Sequence, residues 1–205
     1  MASSIFFFII TVTLFGLVPG PDIIFVITQA ITKGKKEALY VSLGLTTGCM
    51  VHATLASFGV AFIFQQSILA FNALKTLGVI YLLYLAYRTF VNADKEITVT
   101  DDNKAKMGYF KGILMNILNP KVILFFLAFL PQFVPSNIKH ISLYMLMLGV
   151  IFMLVTLVVF SLVSILASQL NTHLISKPKI MIKVNKGSAF VLGSLAILLA
   201  LARQN

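Results

Sequence analysis

Two ionisable side chains of opposite charge stand beside prolines inside long apolar segments. Asp22 follows the residues Pro-Gly-Pro at positions 19–21, and Lys121 follows Asn-Pro at positions 119–120. A charged side chain at the middle of a bilayer costs roughly 2.5–3.5 kcal/mol on insertion scales. We therefore expect Asp22 and Lys121 to pair with each other, which would place a site of both signs inside the apolar region.

The prolines predict that the two helices carrying these charges are broken. Proline has no N–H, and it pushes the residue before it out of helical geometry. Asn119 is a good N-cap and Pro120 suits the first helical position, so a new half-helix should begin there. The N-terminal end of such a half-helix favours anions. Unwound backbone in the middle of a membrane is tolerated only where it is buried in protein or lines a water-filled cavity. Lys121 and the half-helix ends could then hold a carboxylate, and Asp22 an ammonium group or a proton.

The candidate substrate-binding residues are those of the two breaks, together with one asparagine on the same helix face as Asn119. They are Pro19, Gly20, Pro21, Asp22, Asn116, Asn119, Pro120 and Lys121. His52 follows Gly44 and Gly48 at a four-residue spacing that lets helices approach closely, so we expect this face to point inward. Two interpretations of His52 stay open, a proton relay beside the cavity or a packing histidine with a satisfied hydrogen bond. Asp22 and His52 are thus the candidates for proton coupling.

The segments that carry these residues are those of a membrane protein. Of 205 residues, 59% are hydrophobic and only 11% are charged, whereas a soluble domain carries about 25% charged residues. Apolar runs long enough to span a bilayer occur at 4–31, 38–66, 69–91, 109–134, 141–169 and 187–203. The sequence therefore predicts an all-α polytopic fold, one transmembrane domain of six helices with helices 1 and 4 broken at mid-membrane.

The pattern of segments predicts an inverted repeat. Residues 1–91 and 109–205 would each hold three spans, joined by a cytoplasmic loop at about 92–108, and an odd number of spans inverts the second half. Twelve of the sixteen Lys and Arg residues lie in or beside the first, third and fifth loops. Because positive charge stays on the cytoplasmic side, both termini should lie outside. This distribution also accounts for the net charge of +10 without nucleic acid as a partner.

Enzymatic and metal-binding functions find little support in the residues. An intramembrane serine protease would need a serine with a histidine base, and only Ser188, Ser194 and His52 are suggestive. No HExxH motif is present, and the lone Cys49 forms no disulfide framework. Metal sites need several carboxylates, His or Cys together. We expect no enzyme, no cofactor and no resident metal, and the alternative is an exporter of metal ions or other small solutes.

At these residues the chain resembles the LysE/RhtB family of bacterial amino-acid exporters. The resemblance covers nearly the whole chain and includes Pro-Gly-Pro-Asp at 19–22, Gly-Val-Ile-Tyr-Leu-Leu-Tyr at 78–84, and the stretches 112–121 and 125–133. It implies export of amino acids or close derivatives across the bacterial inner (cytoplasmic) membrane, driven by the proton gradient. The implied partners are an amino-acid substrate, protons and the lipid bilayer, and a homo-oligomer is compatible with them.

Asp22 looks like the aspartate variant of the family motif, which is common in the threonine/homoserine-type branch. Other members have Asn at this position. The resemblance therefore favours binding of the substrate's amino group by Asp22 over an obligatory role as proton carrier.

Overall fold

The computed structural model describes residues 2–60, 68–93, 107–135, 138–169 and 178–201. Its helices are α1 (Ala2–Leu17), α2 (Pro21–Lys33), α3 (Lys35–Leu55), α4 (Ile68–Val91), α5 (Met107–Ile117), α6 (Pro120–Leu124), α7 (Ile141–Ser168) and α8 (Pro178–Leu201). A π-helical turn, Ala56–Val60, continues α3. The π-helical turn Phe125–Phe129 and the 3₁₀ turn Leu130–Phe133 continue α6.

Four helices are unbroken and apolar enough to cross a membrane, and they are α3, α4, α7 and α8. Two further spans are bent pairs. The axes of α1 and α2 meet at 61°, and those of α5 and the segment from Pro120 to Phe133 meet at 49°. The described residues thus contain four candidate spans, or up to six if each bent pair is one span. This confirms the prediction of an all-α, multi-pass membrane protein.

Helix α3 crosses α5 with almost no space between the two backbones. A Cβ atom on Gly44 would collide with the carbonyl of Tyr109, and one on Gly112 would lie 2.7 Å from the carbonyl oxygen of Val41. One on Gly48 would lie 2.8 Å from Cβ of Asn116. The predicted inward face of Gly44 and Gly48 is therefore confirmed, because only glycine permits this approach.

Aromatic side chains fill the interior around the two bends. The ring of Phe15 on α1 lies 4.6 Å from that of Phe125, and the rings of Phe126 and Phe152 are 4.8 Å apart. All four side chains are buried. Aromatic pairs at these distances stabilise the interior beyond their area alone, so the bends are held in a closely packed apolar surround.

The ends of α2 and α7 meet the start of α3 in a cluster of three small residues, Ala30, Ala38 and Ala167. In a separate contact, the side-chain amide of Asn185 on α8 donates to the carbonyl of Ala93, just past α4, at 3.0 Å.

The predicted boundary of the last span was wrong at its start. The sequence placed that span at 187–203, but α8 begins at Pro178. Its first turns contain Lys183 and Lys186, whose side chains are exposed. Lysine is a good helix former and proline suits the first helical position, so the helix runs well beyond its apolar part. Most of the predicted loop 92–108 and the end of the segment 38–66 lie outside the described residues, and the inverted repeat stays a prediction.

Candidate functional site

The first break separates α1 from α2. Helix α1 ends at Leu17, and Gly20 has extended backbone (φ −147°, ψ 178°) as the N-cap of α2, with Pro21 at its first position. Asp22 lies in the first turn of α2, where a carboxylate interacts favourably with the positive end of the helix dipole. The break therefore buries a carboxylate where the local backbone stabilises its charge.

The second break lies between α5 and α6. Asn119 has extended backbone, and its Oδ1 accepts a hydrogen bond from the backbone N–H of Lys121 at 3.0 Å. Pro120 occupies the first helical position. The predicted N-cap and helix start are both confirmed, and Lys121 comes to lie in the first turn of α6.

Asp22 and Lys121 form the ion pair that the sequence predicted. The ammonium Nζ of Lys121 lies 3.2 Å from Oδ2 of Asp22 and 3.4 Å from Oδ1. Each side chain is only 4% exposed. Water is thus excluded from both charges, and the pair joins the first break to the second.

Lys121 makes further contacts that the sequence did not predict. Its Nζ donates to the carbonyl oxygens of Val18 at 3.1 Å and Phe15 at 3.3 Å. It also lies 4.7 Å from the centre of the Phe15 ring, within the range of a cation–π interaction. The last carbonyls of a helix lack regular i+4 partners, and here Lys121, from the other half of the chain, donates to two carbonyls at the end of α1.

Proline explains why the Phe15 carbonyl lacks its regular helical donor and accepts instead from the N–H of Val18 at 3.3 Å and from Lys121. In a continuous helix the Phe15 carbonyl would accept from the N–H of residue 19, and Pro19 has none. Pro120 likewise removes the regular helical donor for the carbonyl of Asn116, which accepts instead from the N–H of Asn119 at 3.0 Å. His52 on α3 approaches that carbonyl, with Nε2 at 3.1 Å from the oxygen. A carbonyl oxygen only accepts, so His52 Nε2 is the donor.

Two amide groups at the second break are incompletely paired. Among the described residues, Oδ1 of Asn116 and Nδ2 of Asn119 are buried with no hydrogen-bond partner. Both residues are 2% exposed. A buried polar atom without a partner costs about 1–3 kcal/mol, and a bound ligand could satisfy both. One atom is an acceptor and the other a donor, as a zwitterion requires.

Thr156 on α7 was not singled out by the sequence. It is buried, and its Oγ1 also has no partner within the described ranges. Val159, three residues later on the same helix, lies 3.4 Å from where a Cβ of Gly16 would be. Thr156 therefore belongs to the part of α7 that faces the first break. A single threonine in an apolar helix does not by itself indicate a functional residue in the sequence.

Other polar side chains within the apolar segments lie away from the two breaks or bond within their own helix. Gln29 on α2 is buried, whereas Asn72 and Tyr84 on α4 are exposed. The serines weighed for a protease role bond within their own helix, Ser188 to the carbonyl of Val184 and Ser194 to that of Phe190. These contacts bring neither serine to His52.

Comparison with known proteins assigns the chain to a family. The family described as LysE type translocator matches residues 13–203. The chain belongs to the LysE type translocators. A homoserine/homoserine lactone efflux protein of Salmonella typhimurium is 34% identical over 97% of this chain and 96% of its own length. An uncharacterized membrane protein of Vibrio cholerae is 30% identical over 90% and 91%.

A third relative of this translocator is the uncharacterized membrane protein YrhP of Bacillus subtilis, 30% identical over 59% of this chain and 63% of its own length. No solved structure matches the chain. Since the family is one of translocators, a non-enzymatic function is consistent with this membership.

Proposed function

We propose that this translocator exports a small amino acid or close derivative from the cytoplasm in exchange for protons. The observation that carries the proposal is the Asp22–Lys121 pair, buried where two broken helices meet. Its two charges are complementary to the ammonium and carboxylate of an amino acid. The relatives named as homoserine/homoserine lactone efflux proteins support cargo of this chemical class.

Different residues of the two breaks bind different groups of the cargo. The Asp22 carboxylate is the partner of the cargo's ammonium group. Lys121 and the unpaired Nδ2 of Asn119 are the partners of the cargo's carboxylate. Oδ1 of Asn116 is a further acceptor for the cargo's ammonium group. Residues 19–21 and Pro120 keep the backbone open at these positions. Asp22 and His52 remain the candidates for proton coupling.

Asp22 and Lys121 are both buried, so cargo would reach them only after helices separate. In the described residues no group of three His, Cys, Asp or Glu residues comes together, and the metal-ion alternative therefore gains no support. The site is better suited to an organic zwitterion.

Purified protein in liposomes tests the proposed function. The vesicles are loaded with one amino acid at a time (threonine, homoserine, leucine, lysine or cysteine), and a pH gradient is imposed across the membrane. We expect at least one amino acid to move against protons, and collapse of the gradient should stop its movement. If no amino acid moves and no proton flux is coupled, the proposed function is wrong.

We further propose that the translocator lies in the bacterial inner membrane with both termini on the outer side. The basic loops flanking α2, α3 and α8 support this orientation through the positive-inside rule. In a Cys49→Ala background, Lys36→Cys should react with an impermeant maleimide only from the cytoplasmic side. Lys139→Cys should react only from outside, and the opposite labelling pattern would reverse the topology.

His52 offers a test between its two interpretations. Glutamine places an N–H donor near the position of Nε2 but cannot carry a proton at physiological pH. We expect His52→Gln to retain proton-coupled export and His52→Leu to reduce it by roughly twofold to tenfold, because the contact with the Asn116 carbonyl contributes about 0.5–1.5 kcal/mol. Liposome export at several pH values measures both variants. Loss of coupling in His52→Gln, with binding intact, would instead establish a proton relay.

A further inference from the structure

The contacts of Lys121 describe a complete binding site for an ammonium group. All of its partners at Nζ come from the first break, and they are the Asp22 carboxylate, the carbonyls of Phe15 and Val18, and the Phe15 ring. We call this set the ammonium seat. Carboxylate and carbonyl oxygens accept hydrogen bonds from an ammonium, and an aromatic face adds a cation–π contact.

The charge of the seat is suited to a cation from any source. The end of α1 is the negative end of a helix dipole, and Asp22 adds a full negative charge. The seat also has little space, because Gly20 lies close beside it. A Cβ on Gly20 would lie 2.7 Å from Oδ1 of Asp22 and 3.3 Å from Nζ of Lys121. A compact –NH₃⁺ group therefore fits where a substituted amine would not.

We propose that Lys121 occupies this seat as an internal substitute for cargo, and that the cargo's α-ammonium displaces it during transport. The inference rests on the proposed function and adds the specificity of its site. It assigns the seat to the backbone carbonyls of Phe15 and Val18 and to the Phe15 ring, in addition to Asp22. A free primary ammonium becomes the required feature of any cargo.

The exchange conserves charge if the cargo is a zwitterion. Before exchange, Asp22 pairs with Lys121. After it, Asp22 pairs with the cargo ammonium, and the released Lys121 ammonium pairs with the cargo carboxylate. Nδ2 of Asn119, which has no partner in the structure, donates to the same carboxylate. A cargo without a carboxylate, such as a lactone, leaves Lys121 unpaired and so binds less well.

Removal of Lys121 should therefore change which ligand binds best. Three related probes are compared: L-homoserine, its lactone, which lacks the carboxylate, and N-acetylhomoserine, which lacks the ammonium. If the liposome screen selects another amino acid, its methyl ester and N-acetyl forms replace the last two. Binding to detergent-solubilised protein is measured as displacement of the radiolabelled amino acid. The variants are Lys121→Met and Lys121→Gln, both of which lack the charge.

We expect the lactone to bind each variant at least about tenfold more tightly than the wild type, because the seat is no longer occupied from within. The zwitterion should gain less, since it also loses its carboxylate partner. N-acetylhomoserine should bind none of the proteins. Weaker lactone binding in both variants, or wild-type binding of the N-acetyl form, would overturn the inference. Export by the wild type in liposomes, measured separately, shows whether the proposed function itself holds.

The Phe15 ring provides a second readout when Lys121 no longer competes for the seat, because in the wild type the ring contacts the Lys121 ammonium. In the Lys121→Met background, Phe15→Leu keeps the two carbonyls and removes the aromatic face, so binding of the lactone should weaken by roughly threefold to thirtyfold. The matched control is Phe8→Leu, because Phe8 is equally buried in the same aromatic cluster. Equal effects of the two substitutions would show that only packing was lost and would contradict the ammonium seat.

Discussion

Asp22→Leu and Lys121→Met should each lower the free energy of unfolding by about 3–5 kcal/mol, because each leaves one charge buried without its partner. The double variant should recover most of this loss. Replacement of a whole buried pair by apolar residues of similar size is often neutral or even stabilising. All three variants should fail to export amino acids, so stability and function separate in the double variant.

Asp22→Asn is the milder change, because its amide oxygen still accepts from the Lys121 ammonium. Export should nevertheless fall at least about tenfold, as a charge-assisted hydrogen bond to the cargo is worth about 1.5–3 kcal/mol. Thermal unfolding in detergent and liposome export measure the two effects. Lys36→Met, which removes an exposed charge, is the control and should change neither. Additive losses in the double variant would mean that the two charges are not coupled in the protein.

Gly44→Ala should be the most damaging single-methyl substitution at the crossing of α3 and α5. The new Cβ meets the backbone carbonyl of Tyr109, which cannot turn away as a side chain would. Overpacking of this kind costs about 1–3 kcal/mol. Since α5 must shift to make room, Asn116 and Asn119 shift with it, and we expect export to fall further than stability.

A glycine elsewhere in the same protein supplies the matched control. A Cβ on Gly193 of α8 has no neighbour within 4 Å, so Gly193→Ala should leave export unchanged. Its stability should rise slightly, because alanine is the better helix former by about 1 kcal/mol. Thermal unfolding and export rates are compared for both variants. Equal behaviour of Gly44→Ala and Gly193→Ala would show that the crossing tolerates more space than the structure gives it.

The sequence predicted those features that depend on local chemistry. The helix breaks, the Asn119 cap and the inward face of Gly44 follow from the conformational limits of proline and the small size of glycine, and the structure confirms them. The pairing of Asp22 with Lys121 could also be anticipated, since two buried charges of opposite sign stabilise each other.

The features that the sequence did not reveal depend on where separate helices meet. Every residue has a carbonyl, so nothing marked those of Phe15 and Val18 as partners of Lys121, although Pro19 removes the regular helical donor for the carbonyl four residues before it. Thr156 became notable only through its position on α7. The start of α8 was missed because Lys183 and Lys186 interrupt the apolar run without interrupting the helix.

The opposite signs of Asp22 and Lys121 also decide how the site responds to voltage. Their atoms lie 3.2 Å apart, so the pair has a dipole moment but no net charge. A membrane potential performs work of about 2.3 kcal/mol per 100 mV on each net elementary charge that crosses the bilayer. When the two charges move together, the work done on one nearly cancels the work done on the other. The resting potential of a cell would therefore neither drive nor oppose a movement of the two breaks together, whereas a movement of either charge alone would be coupled to the electric field.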